Sequence, residues 1–151
     1  MTISRQRFKL SVSVFCVLKR NNEVLLILRS NTGYLDGMYS LPAGAIEGTE
    51  KLITAAVREA SEEVGVSILE ADLQQAHLMH CMVDGNEWLN VFFTTENWNG
   101  TPEVKEPHKH GVVEWFTMNN LPDNTIPYIR QALEEIEKDN HFSEYGWEAT
   151  K

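Results

Sequence analysis

Glu59, Glu62 and Glu63 lie within about one helical turn of one another in the stretch Arg58-Glu59-Ala60-Ser61-Glu62-Glu63. Each residue of an α-helix advances about 100° around the axis. Measured from a stripe formed by Ile53, Ala56, Val57, Ala60 and Val64, Glu59 falls near ~240°, Glu63 near ~280° and Glu62 near ~180°. The three carboxylates thus share an arc of about 100°, and two of them border the buried face. Glu59 and Glu63, one turn apart, repel unless a cation sits between them. Hard oxygen ligands at this spacing suit Mg2+ or Mn2+, and a metal-bound water beside a carboxylate is a nucleophile. The competing reading is a solvated acidic helix face, which an arbitrary Glu-x-x-Glu-Glu usually is. The surrounding pattern has to decide.

The helix that carries these residues is expected to start at Thr49, a good N-cap, with Glu50 as an acid in the first turn. Gly65 supplies its C-terminal stop. Upstream, Phe8–Leu18 and Glu23–Arg29 read as two strands across the polar turn Lys19-Arg20-Asn21-Asn22. Ser30–Met38 is a loop, and Tyr39–Leu41 a short strand stopped by Pro42. Downstream, Gln75–Val83 and Trp88–Glu96 flank Asp84-Gly85-Asn86, a good hairpin turn. Trp98–Lys109 is a polar loop and Gly111–Thr117 a further strand. A second amphipathic helix covers Ile126–Lys138, with Tyr128, Ile129, Ala132, Leu133 and Ile136 inward. Strand hairpins with two helices make a layered α/β (α+β) domain, a mixed sheet between helices. The tail, His141–Lys151, carries Tyr145 and Trp147, which could dock on the domain, close over a site or meet a second subunit.

Composition narrows the partners. At 151 residues the chain reads as one domain, spanning 1–151, with 42% hydrophobic and 23% charged residues. No apolar run approaches the roughly 20 residues of a membrane span, and Met1–Arg7 lacks the features of a signal peptide. Twenty-two acidic against 13 basic residues give a net charge of −9, which disfavours non-specific binding of a nucleic acid polymer. Cys16 and Cys81, in apolar strand-like surroundings, read as free thiols of a cytoplasmic protein. A homodimer is left open.

The wider pattern is Gly44, five residues, Glu50, seven residues, then Arg58-Glu59-Ala60-Ser61-Glu62-Glu63-Val64-Gly65-Val66. It resembles the Nudix box at every specified position, Ala60 standing where the family prefers a larger aliphatic residue. Such a match arises by chance on the order of once in a million chains or more rarely. The resemblance implies a Nudix-type α/β/α sandwich with a mixed central sheet, and a hydrolase of nucleoside diphosphate-linked compounds that uses Mg2+ or Mn2+. By position it makes Glu59, Glu62 and Glu63 metal ligands and the Ala43 carbonyl a further one. Arg58 and Glu50 would form a bracing ion pair, and Gly44 would allow the close turn beside the metal.

Phe92–Glu106, with Trp98, Gly100, Pro102 and Lys105-Glu106, is similar to the corresponding stretch of MutT-like members. There the last glutamate is an extra metal ligand and candidate general base, which falls on Glu106, with Glu103 and Glu114 as alternatives. Asn31–Tyr39 resembles a loop of members suspected of acting on nucleoside triphosphates. Leu121–Tyr128 is similar to a MutT-like segment whose asparagine recognises the base, which would place Asn124 in that role, although Thr125 occupies the matched position. No proline occurs from Ser67 to Thr101, where ADP-ribose hydrolases carry one, and the aromatic-proline motif of NADH-cleaving members is missing. The expectation is therefore a nucleoside triphosphate cleaved to monophosphate and pyrophosphate. ADP-ribose or another sugar nucleotide is the alternative, and a non-catalytic nucleotide-sensing module or action on a capped RNA end the remoter ones. Arg29, ending a strand, is a candidate phosphate contact. His108 and His110 are expected on the surface, and Tyr34, Trp88, Trp98 and Phe116 are candidates for stacking on a base or for the core.

Overall fold

A computed structural model describes residues 4–148. The chain runs through strands β1 (Ser11–Arg20), β2 (Glu23–Arg29), β3 (Tyr39–Ser40) and β4 (Ala43–Ala45), then helix α1 (Leu52–Val64). A one-turn 3-10 segment, Glu70–Asp72, leads into β5 (Gln74–Val83), β6 (Asn86–Thr95) and β7 (His110–Thr117), then α2 (Pro127–Glu137) and β8 (Phe142–Tyr145). The sheet order is β3-β2-β1-β6-β5-β8, with β4 also paired to β1 and β7 to β2. The sheet is mixed. β1 lies parallel to β6 and β5 parallel to β8, whereas β1–β2, β1–β4, β2–β7 and β5–β6 are antiparallel.

Helices cover both faces, which is why β1 is apolar at consecutive positions instead of alternating. Val14, Cys16 and Leu18 face α1 with Ala56, Ala60 and Val64, while Phe15 and Val17 face α2 with Ile129, Ala132 and Leu133. The fold is thus the expected α+β layered arrangement. Ala55, Ala56 and Ala60 are fully buried, so the small residues bring α1 close to the sheet. Cys16 and Cys81 are free, buried in the two different layers, where burial pushes both thiols up to about 12.

The helix start differs from expectation. α1 begins at Leu52, Lys51 occupies the cap position without a side-chain cap, and Glu50 stands ahead of the first turn. Thr49 instead takes a left-handed conformation, φ +71°, unusual for a β-branched residue. That reversal frees Glu50 to face the helix side instead of capping its end. The other end is as expected: Gly65, φ +75°, ends α1 with its N–H on the Ser61 carbonyl. β1 starts at Ser11 rather than Phe8, since Ser11 is the first residue with a partner across the sheet, and Phe8 is exposed. Asp84 and Gly85, φ +51° and +77°, make the two-residue hairpin turn.

Candidate active site

Strand β4 and the middle of α1 meet to make the acidic centre. β4 is held against β1 by the pairs Phe15–Ala43, Val14–Gly44 and Ser13–Ala45, which fixes the backbone of Ala43 and Gly44 over the helix. The Ala43 N–H donates to Glu63 Oε2 at 2.9 Å. A Cβ at Gly44 would overlap the Glu59 carboxylate. Glycine is required there by space: Gly44 lies in ordinary strand backbone and not in the close turn expected of it.

Around the helix, Glu59 and Glu63 are each 9% exposed, and Glu62 lies further out, its side chain 53% exposed. Arg58 sits at the hub of the acidic set. Its Nε and Nη2 hold both oxygens of Glu50 at 3.2 and 2.8 Å, while Nη1 reaches Glu59 at 2.8 Å and Glu62 at 3.3 Å. The bidentate bond with Arg58 holds Glu50 below the usual carboxylate range. Glu50 also accepts the N–H of Glu47, so the pair ties the turn between β4 and α1 to the helix.

Glu106 comes to the same centre on the loop before β7. That loop is stitched to the end of α1: the N–H of Glu103 bonds the Val64 carbonyl and the N–H of Lys105 the Glu63 carbonyl, satisfying two helix-end acceptors. Burial raises Glu63 to about 8, opposed by the Ala43 N–H and reinforced by the charges of Glu59 and Glu106. Glu59 is also raised by burial, against the pull of Arg58. The two alternatives to Glu106 are engaged elsewhere: exposed Glu103 pairs with Lys105 at 2.6 Å, and exposed Glu114 accepts the Tyr39 hydroxyl at 3.1 Å.

Among the described residues no three His, Cys, Asp or Glu side chains converge tightly enough to hold one ion as they stand. The donor chemistry nevertheless fits a hard divalent cation. Buried Glu63 carries an unfavourable charge, has Glu59 and Glu106 beside it, and receives one backbone hydrogen bond in compensation. Arg58 bonds Glu50, Glu59 and Glu62 and, among the described residues, leaves Glu63 without a cationic partner of its own.

His110 departs from the sequence reading. It is not on the surface but 5% exposed, opening β7 opposite Arg29, with Nε2 4.0 Å from Glu63 Oε1. Burial lowers its pKa, and Nδ1 has no hydrogen-bond partner among the described residues. The missed signal was strand phase: a β7 begun one residue earlier, at His110 instead of Gly111, carries it into the sheet.

Beside the acidic centre, on the α2 face of the sheet, lies a cavity of about 490 Å3. Phe15, Trp88, Tyr34 and Tyr128 give it aromatic surfaces, and Ala43, Gly44 and Arg29 join it to the carboxylates. Phe15 stacks on Phe92 and meets Tyr128 edge-on, while Tyr128 in turn meets Tyr145 of β8. Of the aromatics expected to stack, Tyr34 and Trp88 line the cavity, whereas Trp98 pairs with Trp115 and Phe116 with Tyr39. Arg29 is aimed by its loop: Nε donates to the Tyr34 carbonyl at 2.8 Å and Nη2 to Thr32 Oγ1 at 3.0 Å. Asp36 closes that loop by accepting from the Thr32 and Gly33 N–H groups. Asn124 is not among the lining residues. Its Nδ2 donates to the Gly37 carbonyl at 2.9 Å, which braces the loop.

The model of the NUDIX domain matches residues 7–139, and the chain belongs to that family of pyrophosphohydrolases. It is a MutT-like Nudix hydrolase. It is 28% identical over 133 residues to the 8-oxo-dGTP diphosphatase of Escherichia coli K12, covering 83% of this chain and 93% of that one. It is 29% identical over 112 residues to the ADP-ribose pyrophosphatase of Methanocaldococcus jannaschii, covering 74% and 64%. The crystal structure of a MutT NUDIX hydrolase from Burkholderia pseudomallei superposes with a TM-score of 0.70 at 28% identity, over 84% of this chain and 98% of that one. Nudix hydrolases generally use divalent cations and act on small nucleotide substrates. Among the described residues no helix is long and apolar enough to cross a membrane.

Proposed function

We propose that the chain hydrolyses a nucleoside triphosphate to the monophosphate and pyrophosphate with Mg2+ or Mn2+. The observation that carries this reading is the aromatic cavity of about 490 Å3 opening directly onto Gly44, against which the Glu59 carboxylate packs. A base between the aromatic surfaces would run its phosphates past Arg29 and the Ala43–Gly44 backbone, which Glu63 and Glu59 touch from the other side. The cavity suits one nucleotide rather than a polymer, in keeping with the net charge of −9.

Glu59, Glu62, Glu63 and the Ala43 carbonyl are the residues that would hold the cation, with Glu106 adding a further oxygen or accepting the proton of the attacking water. The cation, when bound, supplies phosphate charge neutralisation and an acidified water. The chain's own part is positional. Arg58 and Glu50 lock the turn against the helix, Gly44 lets Glu59 lie flat on the loop, and Arg29, held on two sides, offers its remaining N–H groups to a phosphate oxygen.

Hydrolysis of canonical and oxidised nucleoside triphosphates, ADP-ribose and sugar nucleotides, with product analysis in each metal, tests the reading. A triphosphate giving monophosphate and pyrophosphate is expected, and Glu59→Gln or Glu63→Gln should lower turnover by about two orders of magnitude or more. Turnover confined to ADP-ribose or sugar nucleotides, or near-normal rates in both variants, would overturn it.

A further inference from the structure

The floor of the cavity holds a polar group that nothing in the fold requires. Asn90 sits in the middle of β6 and is 5% exposed, between Val91 and Leu89 in sequence and opposite Met79 across the β5–β6 pair. A carboxamide buried in a central strand is costly unless its hydrogen bonds are made. Asn90 makes one: Nδ2 donates to Cys81 Sγ at 3.2 Å, and a thiol sulfur is a weak acceptor. Among the described residues no group donates to its Oδ1. The thiol gives little back, because burial keeps it protonated.

The neighbour across the parallel β1–β6 pair is Ser13, 9% exposed, whose hydroxyl makes no side-chain hydrogen bond among the described residues. Asn90, Ser13 and Cys81 all line the cavity, with Phe15 and Trp88 beside them. The floor therefore offers an amide acceptor, an amide N–H and a hydroxyl between aromatic surfaces. An apolar pocket with a few convergent polar groups is built to read a heteroaromatic edge in which an N–H adjoins an acceptor atom.

We infer that Asn90, assisted by Ser13, reads the hydrogen-bonding edge of the base and sets which nucleotide the site prefers. This rests on the reading of the cavity as the base subsite proposed above. A pocket that bonds a polar edge rejects a base lacking it far more strongly than an apolar pocket can, because the mismatched base leaves Asn90 unpaired. An apolar floor would give stacking without discrimination.

The test is isothermal titration of the purified protein with the four common nucleoside monophosphates, without metal, alongside kcat/KM for the four triphosphates with Mg2+. The wild type should prefer one base, and Asn90→Leu, of similar volume, should weaken that nucleotide about 10- to 100-fold in both measurements while changing the others by less than about threefold. Ser13→Ala should reduce the same preference less. Circular dichroism and thermal melting establish that each variant folds; should Asn90→Leu not fold, the ratio in Ser13→Ala decides. A uniform loss across all four bases, or an unchanged ratio, would overturn the inference. A wild type that binds one monophosphate selectively yet hydrolyses no triphosphate would overturn the proposed activity while supporting the role of Asn90.

Discussion

His110 Nε2 lies 4.0 Å from Glu63 Oε1, and both side chains are withdrawn from water. The imidazole carries a buried Nδ1 that nothing among the described residues satisfies, which costs about 1–3 kcal/mol. An arrangement that costs stability beside a key carboxylate is the pattern of a residue kept for function. His110→Leu is therefore expected to raise the unfolding free energy by about 1 kcal/mol, while turnover falls about 10- to 100-fold. Chemical denaturation and steady-state rates check this. A destabilised variant with full activity would show that the histidine is packing alone.

The pH dependence of the metal-free protein follows mainly from Glu63, with Glu59 acting in the same sense and His110 in the opposite one. Its folded value of about 8 stands above the ordinary 4.5, so the fold favours the protonated acid. That contribution is complete below about pH 4.5 and is lost as pH rises through 8. In EDTA, Tm should consequently fall between pH 5 and 9, and Mg2+, which favours the carboxylate, should reverse most of the fall at the alkaline end. Glu63→Gln, which cannot ionise, should flatten the EDTA profile. Calorimetry across that range settles it, and an identical slope in the variant would assign the effect to another group.

Gly44 gives a steric prediction. Gly44→Ala drives a methyl group into the Glu59 carboxylate, which must swing off the loop. Displacement of such a group by about 1 Å can cost on the order of 100-fold in rate. The rate should fall by about that factor, with a stability loss of about 1–3 kcal/mol. A variant with wild-type turnover would mean that Glu59 need not lie against β4.

His77 is fully buried, and its two nitrogens engage the Asn140 carbonyl and the Ser143 hydroxyl, each at 2.7 Å. Nδ1 donates to the carbonyl, and Nε2 shares a hydrogen bond with the hydroxyl. His77→Leu breaks both bonds and should cost about 2–4 kcal/mol, with faster hydrogen exchange concentrated at residues 142–147. Uniform exchange changes along the whole sheet would refute a local latch.

The parts legible in sequence were those with a local cause. The acidic helix follows from apolar spacing and Gly65, the β5–β6 hairpin from Asp84-Gly85, and the ion pair of Arg58 with Glu50 was implied by the family resemblance. The illegible parts depend on distant partners. Thr49 looked like a cap but turns the chain so that Glu50 meets Arg58. Asn90 and Ser13 are single polar residues in apolar runs, and their meaning appears once β1 and β6 place them side by side. The tail offered three fates; its described part pairs with β5 and Trp147 donates to the His80 carbonyl, while residues 149–151 lie outside the described residues. Four residues, Phe142–Tyr145, carry too little pattern to announce a strand.

Because β8 lies parallel to β5, the chain must pass through β6, β7 and α2 before the register Leu78–Phe142 to Cys81–Tyr145 can form. Emerging from a ribosome, the polypeptide can assemble the acidic helix and most of the sheet while one flank of the cavity still lacks Tyr145 behind Tyr128. The α1 carboxylates thus precede, in the order of synthesis, the strand that completes the cavity wall.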